Sequence, residues 1–272
     1  MTQRYGLVGR HLGHSFSRAW FTEKFAREGI DATYSNFELA DIAALPRLLQ
    51  DDAQLCGFNV TIPYKQAIMP LLDGGIDAAA ARIGAVNTVR RMPDGRLRGF
   101  NTDAPAFAES LRRLLEGRCA PHKALVLGTG GASRAVAAAL EAMGIDRMHV
   151  SRKAGAGHIT YADLTPAVVA AHTLIVNTTP LGMWPDTASA PELPYGAITP
   201  QHACFDLVYN PDPTEFMRRA AARGAATASG IGMLRLQAEG AWRIWQGHDP
   251  TPQTIPNSPI HKHNKHLQTQ LQ

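Results

Sequence analysis

The chain has 272 residues, of which 45% are hydrophobic and 18% charged, and its formal net charge is +4. This length allows two domains and a sizeable core. No apolar run approaches a membrane span, and no basic stripe with interleaved aromatic residues indicates nucleic-acid binding. Cys56, Cys119 and Cys204 are scattered without a disulfide or metal-binding pattern, and the N-terminus lacks a signal-peptide pattern. We expect a cytoplasmic protein without a metal site that binds small anionic molecules.

Strand and helix signals alternate through the first part of the chain, which predicts an α/β sheet that is largely parallel. A helix with Trp20, Phe21 and Phe25 on its apolar face is expected to end near Gly29, and Pro63 is expected to start a further helix. Residues 92–95 carry the signal of a β-hairpin turn. The predicted strands span 5–9, 33–39, 56–60, 84–91 and 96–100, and another helix spans 42–49.

Several polar side chains follow these predicted strands or lie late in them. Ligands of such sheets bind beyond the carboxyl ends of the strands, so these side chains are candidates for one convergent site. Taken singly, each is also typical of a helix cap, a turn or an exposed surface. The candidates are Ser15, Ser17, Asn59, Thr61, Lys65, Asn87, Asn101 and Asp103.

A strand, a glycine-rich turn, a helix and a second strand follow within residues 124–150, after a predicted helix at 107–115. This is the order of a dinucleotide-binding βαβ unit, in which glycines permit a tight turn and a close approach of the pyrophosphate to the helix N-terminus. The alternative is an ordinary glycine-rich turn. Gly144 is expected to end the helix. The predicted cofactor-binding residues of the turn are Gly128, Thr129, Gly130, Gly131, Ala132 and Ser133.

The end of the second strand favours NADP over NAD. An NAD-binding unit usually places an acid there to bond the ribose 2′-hydroxyl. This chain instead has Ser151, Arg152 and Lys153, whose hydroxyl and cationic groups suit a 2′-phosphate. A solvated, charged loop is the alternative interpretation. The glycine-rich segment 153–158 follows without a full-length helix.

Three further strands are predicted at 174–177, 204–209 and 225–228, and a helix follows from Gly230 through Met233 and Gln237. The first of these strands ends at Asn177 and is followed by Thr178 and Thr179. All three residues should lie at the nucleotide crevice. The polar, His- and Lys-rich segment 251–272 is predicted to be a disordered tail.

Eight motifs in this order resemble the shikimate dehydrogenase (shikimate/quinate dehydrogenase) family over residues 4–248. The resemblance implies a discontinuous α/β substrate domain, residues 1–104 and 230–250, and an inserted Rossmann-like NADP domain, residues 105–229, closed by a C-terminal helix. It implies NADPH-dependent reduction of 3-dehydroshikimate to shikimate by a monomer or homodimer. The motifs are GHSFS (13–17), FNVTIPYK (58–65), GAVNT (84–88), NTD (101–103), GTGGAS (128–133), NTTPLGM (177–183), DLVYNP (206–211) and GIGMLRLQA (230–238).

The motif positions imply a role for each candidate residue. Lys65 and Asp103 correspond to the catalytic pair, in which a lysine protonates the oxygen that gains charge during reduction. Ser15 and Ser17, helped by Tyr209, correspond to the binding site for the carboxylate. Asn59, Thr61, Asn87 and Gln237 would bond ring hydroxyls. The implied cofactor residues also include Ser151, Arg152, Lys153, Asn177, Thr178, Thr179, Gly230 and Met233.

Three departures from the family pattern accompany the resemblance. Arg18 stands where the family commonly has proline, which alters a helix start but no contact, and Ser229 replaces a frequent Asp. The segment after Arg152 is shortened, which weakens the NADP prediction. The alternatives are a quinate or dual-specificity dehydrogenase, another Rossmann oxidoreductase such as a methylenetetrahydrofolate dehydrogenase, and a regulatory homologue that binds without turnover. A regulatory homologue would not need both Lys65 and Asp103.

Overall fold

The computed structural model describes residues 2–13, 15–153 and 155–248. Two β-sheets organise these residues, one built from residues 3–100 and the other from residues 123–228. Within the described residues, no helix has the length and apolar character needed to cross a membrane. The predicted tail 251–272 lies outside the described residues.

The first sheet joins a parallel core to an antiparallel hairpin. The parallel strands are β1 Gln3–Gly9, β2 Ala32–Glu38 and β3 Leu55–Val60, and the hairpin is β4 Thr88–Arg91 with β5 Leu97–Phe100. The strand order is β2-β1-β3-β4-β5. The helices α1 Phe16–Glu28, α2 Leu45–Asp51 and α3 Ala78–Ile83 lie between these strands in the chain. Gly29 ends α1 in the left-handed conformation, with φ of 64°, as predicted.

Two predictions for this half were wrong. No α-helix starts at Pro63, because the carbonyl of Lys65 accepts from the Val86 N–H at 2.7 Å instead of from a later turn of its own segment. Residues 61–68 form successive turns, and a short 3₁₀ turn, Met69–Leu71, follows. The strand predicted from residue 84 begins at Thr88, because Gly84 is the left-handed end of α3.

The second sheet contains six parallel strands. In chain order they are β6 Lys123–Leu127, β7 Asp146–Ser151, β8 His158–Thr160, β9 Leu174–Asn177, β10 Ala203–Asp206 and β11 Ala226–Ala228, and in space they run β11-β10-β9-β6-β7-β8. This is the doubly wound dinucleotide-binding order, whose switch point lies between β6 and β9. The helices are α4 Asp103–Leu114, α5 Gly131–Ala142, α6 Pro166–Ala171, α7 Glu215–Ala221 and α8 Ile231–Trp245.

The sequence placed five of these six strands and three of these five helices in the right order, but not always with the right extent, and it did not predict β8, α6 or α7. The strand expected over 204–209 ends at Asp206, which leaves Val208 and Tyr209 in the following loop. Helix α4 begins at Asp103 rather than Phe107. No helix occupies the described part of segment 153–158, where a short connection leads directly into β8.

Helix α8 packs on both sheets. Met233 and Leu236 belong to the core of the second sheet, whereas Ile244 and Trp245 belong to a cluster that packs on β1 and α1. The Trp245 indole donates from Nε1 to the Val89 carbonyl at 3.0 Å and stacks on Tyr5 with ring centroids 4.6 Å apart. The predicted closing C-terminal helix is therefore present. The residue limits proposed for the two domains stay a prediction.

Candidate active site

A cleft of about 880 Å³ lies where the carboxyl ends of β1 and β3 face the loops after β9 and β10 and the start of α8. Strand ends, loops and helix N-termini from both halves of the chain thus contribute to one site. All nine predicted catalytic and substrate-binding residues line it, namely Ser15, Ser17, Asn59, Thr61, Lys65, Asn87, Asp103, Tyr209 and Gln237.

Lys65 and Asp103 form an ion pair inside this cleft. The Lys65 ammonium donates from Nζ to Asp103 Oδ2 at 2.7 Å, and the side chains are 18% and 10% exposed. Lys65 lies in the turns after β3, and Asp103 is the first residue of α4, directly after β5. The pair therefore offers an oriented ammonium proton to a group in the cleft.

Asn87 holds the other side of the Asp103 carboxylate. Its Nδ2 donates to Asp103 Oδ1 at 2.8 Å and to Thr102 Oγ1 at 2.9 Å. Its Oδ1 accepts from the Thr102 N–H at 2.8 Å and from the Thr88 hydroxyl at 3.1 Å. Because protein partners already use both amide protons, the role of Asn87 seen here is to orient Asp103. A bond from this amide to a substrate hydroxyl would have to replace one of these contacts.

The network continues from Asn59 towards Ser17. Asn59 Nδ2 donates to Thr88 Oγ1 at 3.1 Å and to the Asn87 carbonyl at 3.2 Å, and its Oδ1 accepts from the Tyr34 hydroxyl at 2.9 Å. Burial raises the pKa of Tyr34, and the hydrogen bond with Ser17 only partly opposes this rise. Tyr34, Thr88 and Thr102, to which the sequence analysis gave no role, thus tie five of the predicted site residues into one polar network, namely Ser17, Asn59, Lys65, Asn87 and Asp103.

Ser15 shows how Arg18 alters the start of α1, as the sequence analysis expected. The Ser15 hydroxyl caps α1 by accepting from the Arg18 backbone N–H at 3.3 Å. A proline at position 18 has no N–H and could not make this bond. The hydroxyl keeps its own proton, so Ser15 can still donate a hydrogen bond to an anion.

Tyr209 and Gln237 reach the cleft from the loop after β10 and from α8. The Tyr209 ring meets Phe16 edge-on, with ring centroids 5.9 Å apart, and burial raises the pKa of its phenol. A neutral phenol is a hydrogen-bond donor at ordinary pH. Gln237 Nε2 donates to the Leu234 carbonyl at 3.0 Å within α8.

The glycine-rich turn has the geometry expected of a dinucleotide site. Gly128 has φ of 109°, and a Cβ there would lie 2.7 Å from Thr178 Oγ1, so both conformation and space require glycine. Gly130 is the N-cap of α5, and a Cβ on Gly130 or Gly131 would meet no protein atom within 4 Å. The first amides of α5 are therefore accessible to a phosphate group.

Four polar side chains that were predicted to bind the cofactor here bond to the protein instead. The Ser133 hydroxyl donates to the Gly130 carbonyl at 2.6 Å, and the Thr178 hydroxyl donates to the Leu127 carbonyl at 2.6 Å. Asn177 is fully buried, and its Oδ1 accepts from the Thr179 hydroxyl at 2.6 Å. These side chains shape the crevice, and contacts to a cofactor would come from the loop surface around them.

The cationic residues follow β7, the strand that pairs with β6. Ser151 ends β7, and Arg152 and Lys153 are exposed. Burial raises the pKa of Tyr161, and the nearby charge of Arg152 opposes that rise. Gly230 and Met233 line the cleft together with Ala132 of the turn.

Comparison with known proteins identifies the family. The model of the shikimate dehydrogenase substrate binding domain matches residues 7–89. A Desulforamulus reducens protein named shikimate dehydrogenase (NADP(+)) is 34% identical, over 96% of this chain and 95% of its own length. The chain belongs to the shikimate dehydrogenase family.

Solved structures of similar proteins agree with this assignment. The shikimate 5-dehydrogenase of Thermus thermophilus, solved with NADP(H) and shikimate, is 34% identical, has a TM-score of 0.79 and is covered over 96%, against 92% of this chain. The quinate dehydrogenase of Corynebacterium glutamicum, solved with NAD, is 28% identical, has a TM-score of 0.80 and is covered over 95%, against 93% of this chain.

Some residues of this shikimate dehydrogenase family member line the cleft although the sequence analysis gave them no role. Arg10 and His11 follow β1 directly, so the rule of carboxyl strand ends could have found them. They bring cationic and titratable groups to a site expected to be mainly neutral. Ile62, Met183 and Trp184 are large, exposed hydrophobic side chains that give the cleft an apolar border.

Proposed function

We propose that the protein catalyses the reversible, NADPH-dependent reduction of 3-dehydroshikimate to shikimate, a step of aromatic amino acid biosynthesis. The observation that carries this proposal is the Lys65–Asp103 pair, joined at 2.7 Å within a cleft that the start of α5 also borders. Membership of the shikimate dehydrogenase family supports the same reaction.

Lys65 is assigned as the proton donor. When hydride from bound NADPH adds to the ketone carbon, negative charge develops on the carbonyl oxygen. An ammonium beside that oxygen stabilises the charge and delivers the proton that completes the alcohol. Asp103 keeps the ammonium oriented, and Asn87 keeps Asp103 oriented. In the reverse reaction, neutral Lys65 would accept the hydroxyl proton.

The substrate residues are assigned by the chemistry that each presents to the cleft. Ser15 and Ser17, with the Tyr209 phenol, supply neutral donors for the carboxylate. Thr61 and Gln237 supply hydrogen-bonding groups for ring hydroxyls, whereas Asn59 and Asn87 act through the network described above. Arg10 adds positive charge to the same cleft, which would attract an anionic substrate.

The cofactor residues are assigned to different parts of NADP(H). The turn from Gly128 to Ser133 and the first amides of α5 would hold the pyrophosphate. Ser151, Arg152 and Lys153 would hold the 2′-phosphate. The loop containing Asn177, Thr178 and Thr179, with Gly230 and Met233, would border the nicotinamide. NADP(H) supplies and accepts the hydride.

A purified full-length protein tests the proposal directly. We expect reduction of NADP⁺ with shikimate, measured by NADPH absorbance, and a much smaller rate with quinate. Equal kcat/KM for the two acids would support a dual-specificity enzyme. Ligand binding without turnover would support the regulatory alternative. A cytoplasmic location and a monomeric or homodimeric state stay predictions, which fractionation and sedimentation would test.

A further inference from the structure

We propose that Asp206 is a positioning residue whose buried carboxylate holds together the loop after β9, the loop after β10 and the start of α8. These segments border the nicotinamide side of the proposed site, so the inference rests on the proposed function. Asp206 does not line the cleft itself, and it would act through Asn177, Val208 and Thr214.

The hydrogen bonds of Asp206 reach three separate segments. The fully buried carboxylate accepts at Oδ1 from Asn177 Nδ2 at 2.9 Å and from the Val208 N–H at 3.0 Å. Its Oδ2 accepts from the Thr214 hydroxyl at 2.6 Å, and Thr214 also caps α7. One carboxylate therefore fixes the end of β9, the loop after β10 and the N-terminus of α7.

Two further contacts extend this connection into the cleft. The Val208 carbonyl accepts from the Gly230 N–H at 3.1 Å, and Gly230 is the N-cap of α8. A Cβ at Gly230 would lie 2.1 Å from the Leu207 carbonyl oxygen, so the loop after β10 and the start of α8 touch directly. A shift of Val208 would therefore be transmitted to α8, which carries Met233 and Gln237.

Asp206 in its ionised form has only acceptors, and this matches its three donors. Burial raises the pKa of Asp206 to about 6, and its hydrogen bonds with Thr214, Val208 and Asn177 oppose that rise. Below that pH the carboxyl would gain a proton, and the donor–acceptor match would be broken. The titratable groups around it include Tyr195 and Cys204, which burial keeps neutral. They also include Glu215 and Arg219, which form an ion pair on α7 close to Tyr195.

Three variants test the proposal. Asp206→Asn keeps the shape but removes the charge, and Thr214→Val removes one donor, whereas Thr214→Ser retains it. Asp52→Asn serves as a matched control, because Asp52 is another buried aspartate, which ends α2 and pairs with Arg4 of β1 at 3.2 Å. The measurements are the NADPH dissociation constant by fluorescence, kcat and KM from pH 5 to 9, and the thermal midpoint.

We expect Asp206→Asn to weaken NADPH binding and to lower kcat/KM by about tenfold to a hundredfold at pH 8, since small misplacements of reacting groups are costly. Thr214→Val should shift the acid limb of the pH profile to higher pH, because it removes a donor that stabilises the ionised carboxylate. Thr214→Ser should restore the wild-type profile. The 2′-phosphate of NADPH also titrates near pH 6. Its contribution to the acid limb of the pH profile is the same in every variant, so a difference between the profiles of a variant and the wild type reports on Asp206.

The proposal is overturned if Asp206→Asn retains wild-type NADPH affinity and pH profile, or if its losses match those of Asp52→Asn at an equal fall in thermal midpoint. The binding measurement separates this inference from the proposed function. Wild-type protein that binds NADPH but does not oxidise shikimate would refute the function. Weakened binding in Asp206→Asn would still support the positioning role in that case.

Discussion

Replacing Lys65 by Met tests the catalytic pair most directly, because the substitution retains an unbranched apolar stem and removes only the charged, proton-donating end. It eliminates the 2.7 Å bond to Asp103 and the donor for the reacting oxygen. Losing a general acid–base usually costs about 10²–10⁴ in rate. This corresponds to roughly 2.7–5.4 kcal/mol of transition-state stabilisation.

The same substitution also lowers the stability of the fold, and this effect can be separated from the loss of catalytic rate. Truncating one partner of a buried, hydrogen-bonded charge pair costs about 2–5 kcal/mol. Lys65 retains 18% and Asp103 10% side-chain exposure, and Asp103 keeps its bond from Asn87, so we expect the lower end, about 2 kcal/mol. For a chain of this size, that loss lowers Tm by roughly 4–8 °C.

The double variant Lys65→Met/Asp103→Asn distinguishes the two effects. Removing both charges abolishes the unpaired carboxylate, so Tm should recover while kcat stays low. The assay is steady-state oxidation of shikimate at saturating NADP⁺, together with thermal unfolding. A single variant that keeps kcat within threefold of wild type, or a double variant that recovers kcat along with Tm, would refute the assignment of Lys65 as proton donor.

Three further predictions concern the cofactor and the substrate. A charge-assisted bond to phosphate is worth about 1.5–3 kcal/mol, so Arg152→Ala should reduce the ratio of kcat/KM for NADPH over NADH by tens-fold; an unchanged ratio would show that Arg152 does not contact the 2′-phosphate. Gly128→Ala should lower Tm, because φ is 109° and the new Cβ would lie 2.7 Å from Thr178 Oγ1, whereas Gly130→Ala should leave the free protein unchanged and weaken only NADPH binding. Equal destabilisation of the free protein by both would contradict this account of the turn. Shikimate should exceed quinate in kcat/KM by roughly 10–200-fold, since the added quinate hydroxyl would be buried without a partner. Comparable values for the two acids would indicate dual specificity. If the discrimination lies at the carboxylate, Ser17→Gly should reduce the difference in kcat/KM between the two acids.

The elements that depend on local signals were predictable from the sequence. The strand, glycine turn and helix around Gly128 follow from hydrophobic periodicity and from a conformation that glycine adopts readily. The hairpin and the end of α1 at Gly29 depend on equally short-range turn chemistry. The eight motifs, in their order, also predicted the family, because their residue types recur together in shikimate dehydrogenases.

Local signals failed where a long-range contact decided the backbone. The Lys65 carbonyl bonds to Val86, so the segment after Pro63 turns instead of forming the predicted helix. Val208 and Tyr209 are residue types that favour β-strands, yet the Val208 N–H donates to the Asp206 carboxylate, and these residues lie in a loop. Periodicity cannot report such partners, since they are far apart in sequence or belong to side chains.

The site itself was only partly determined by the sequence. Lys65 and Asp103 are 38 residues apart, and they meet because β3 and β5 each run antiparallel to β4 and so end at the same edge of the sheet. The motifs could identify Lys65 and Asp103 as the catalytic pair before their positions in the fold were known. Only the fold decided that Asn87 would bind Asp103 with an amide already committed to protein partners, and that Asp206 would connect three loops from a buried position. Hydrogen-bond partners in a buried network are chosen by distance and direction in space, and a sequence specifies these only after the chain has folded.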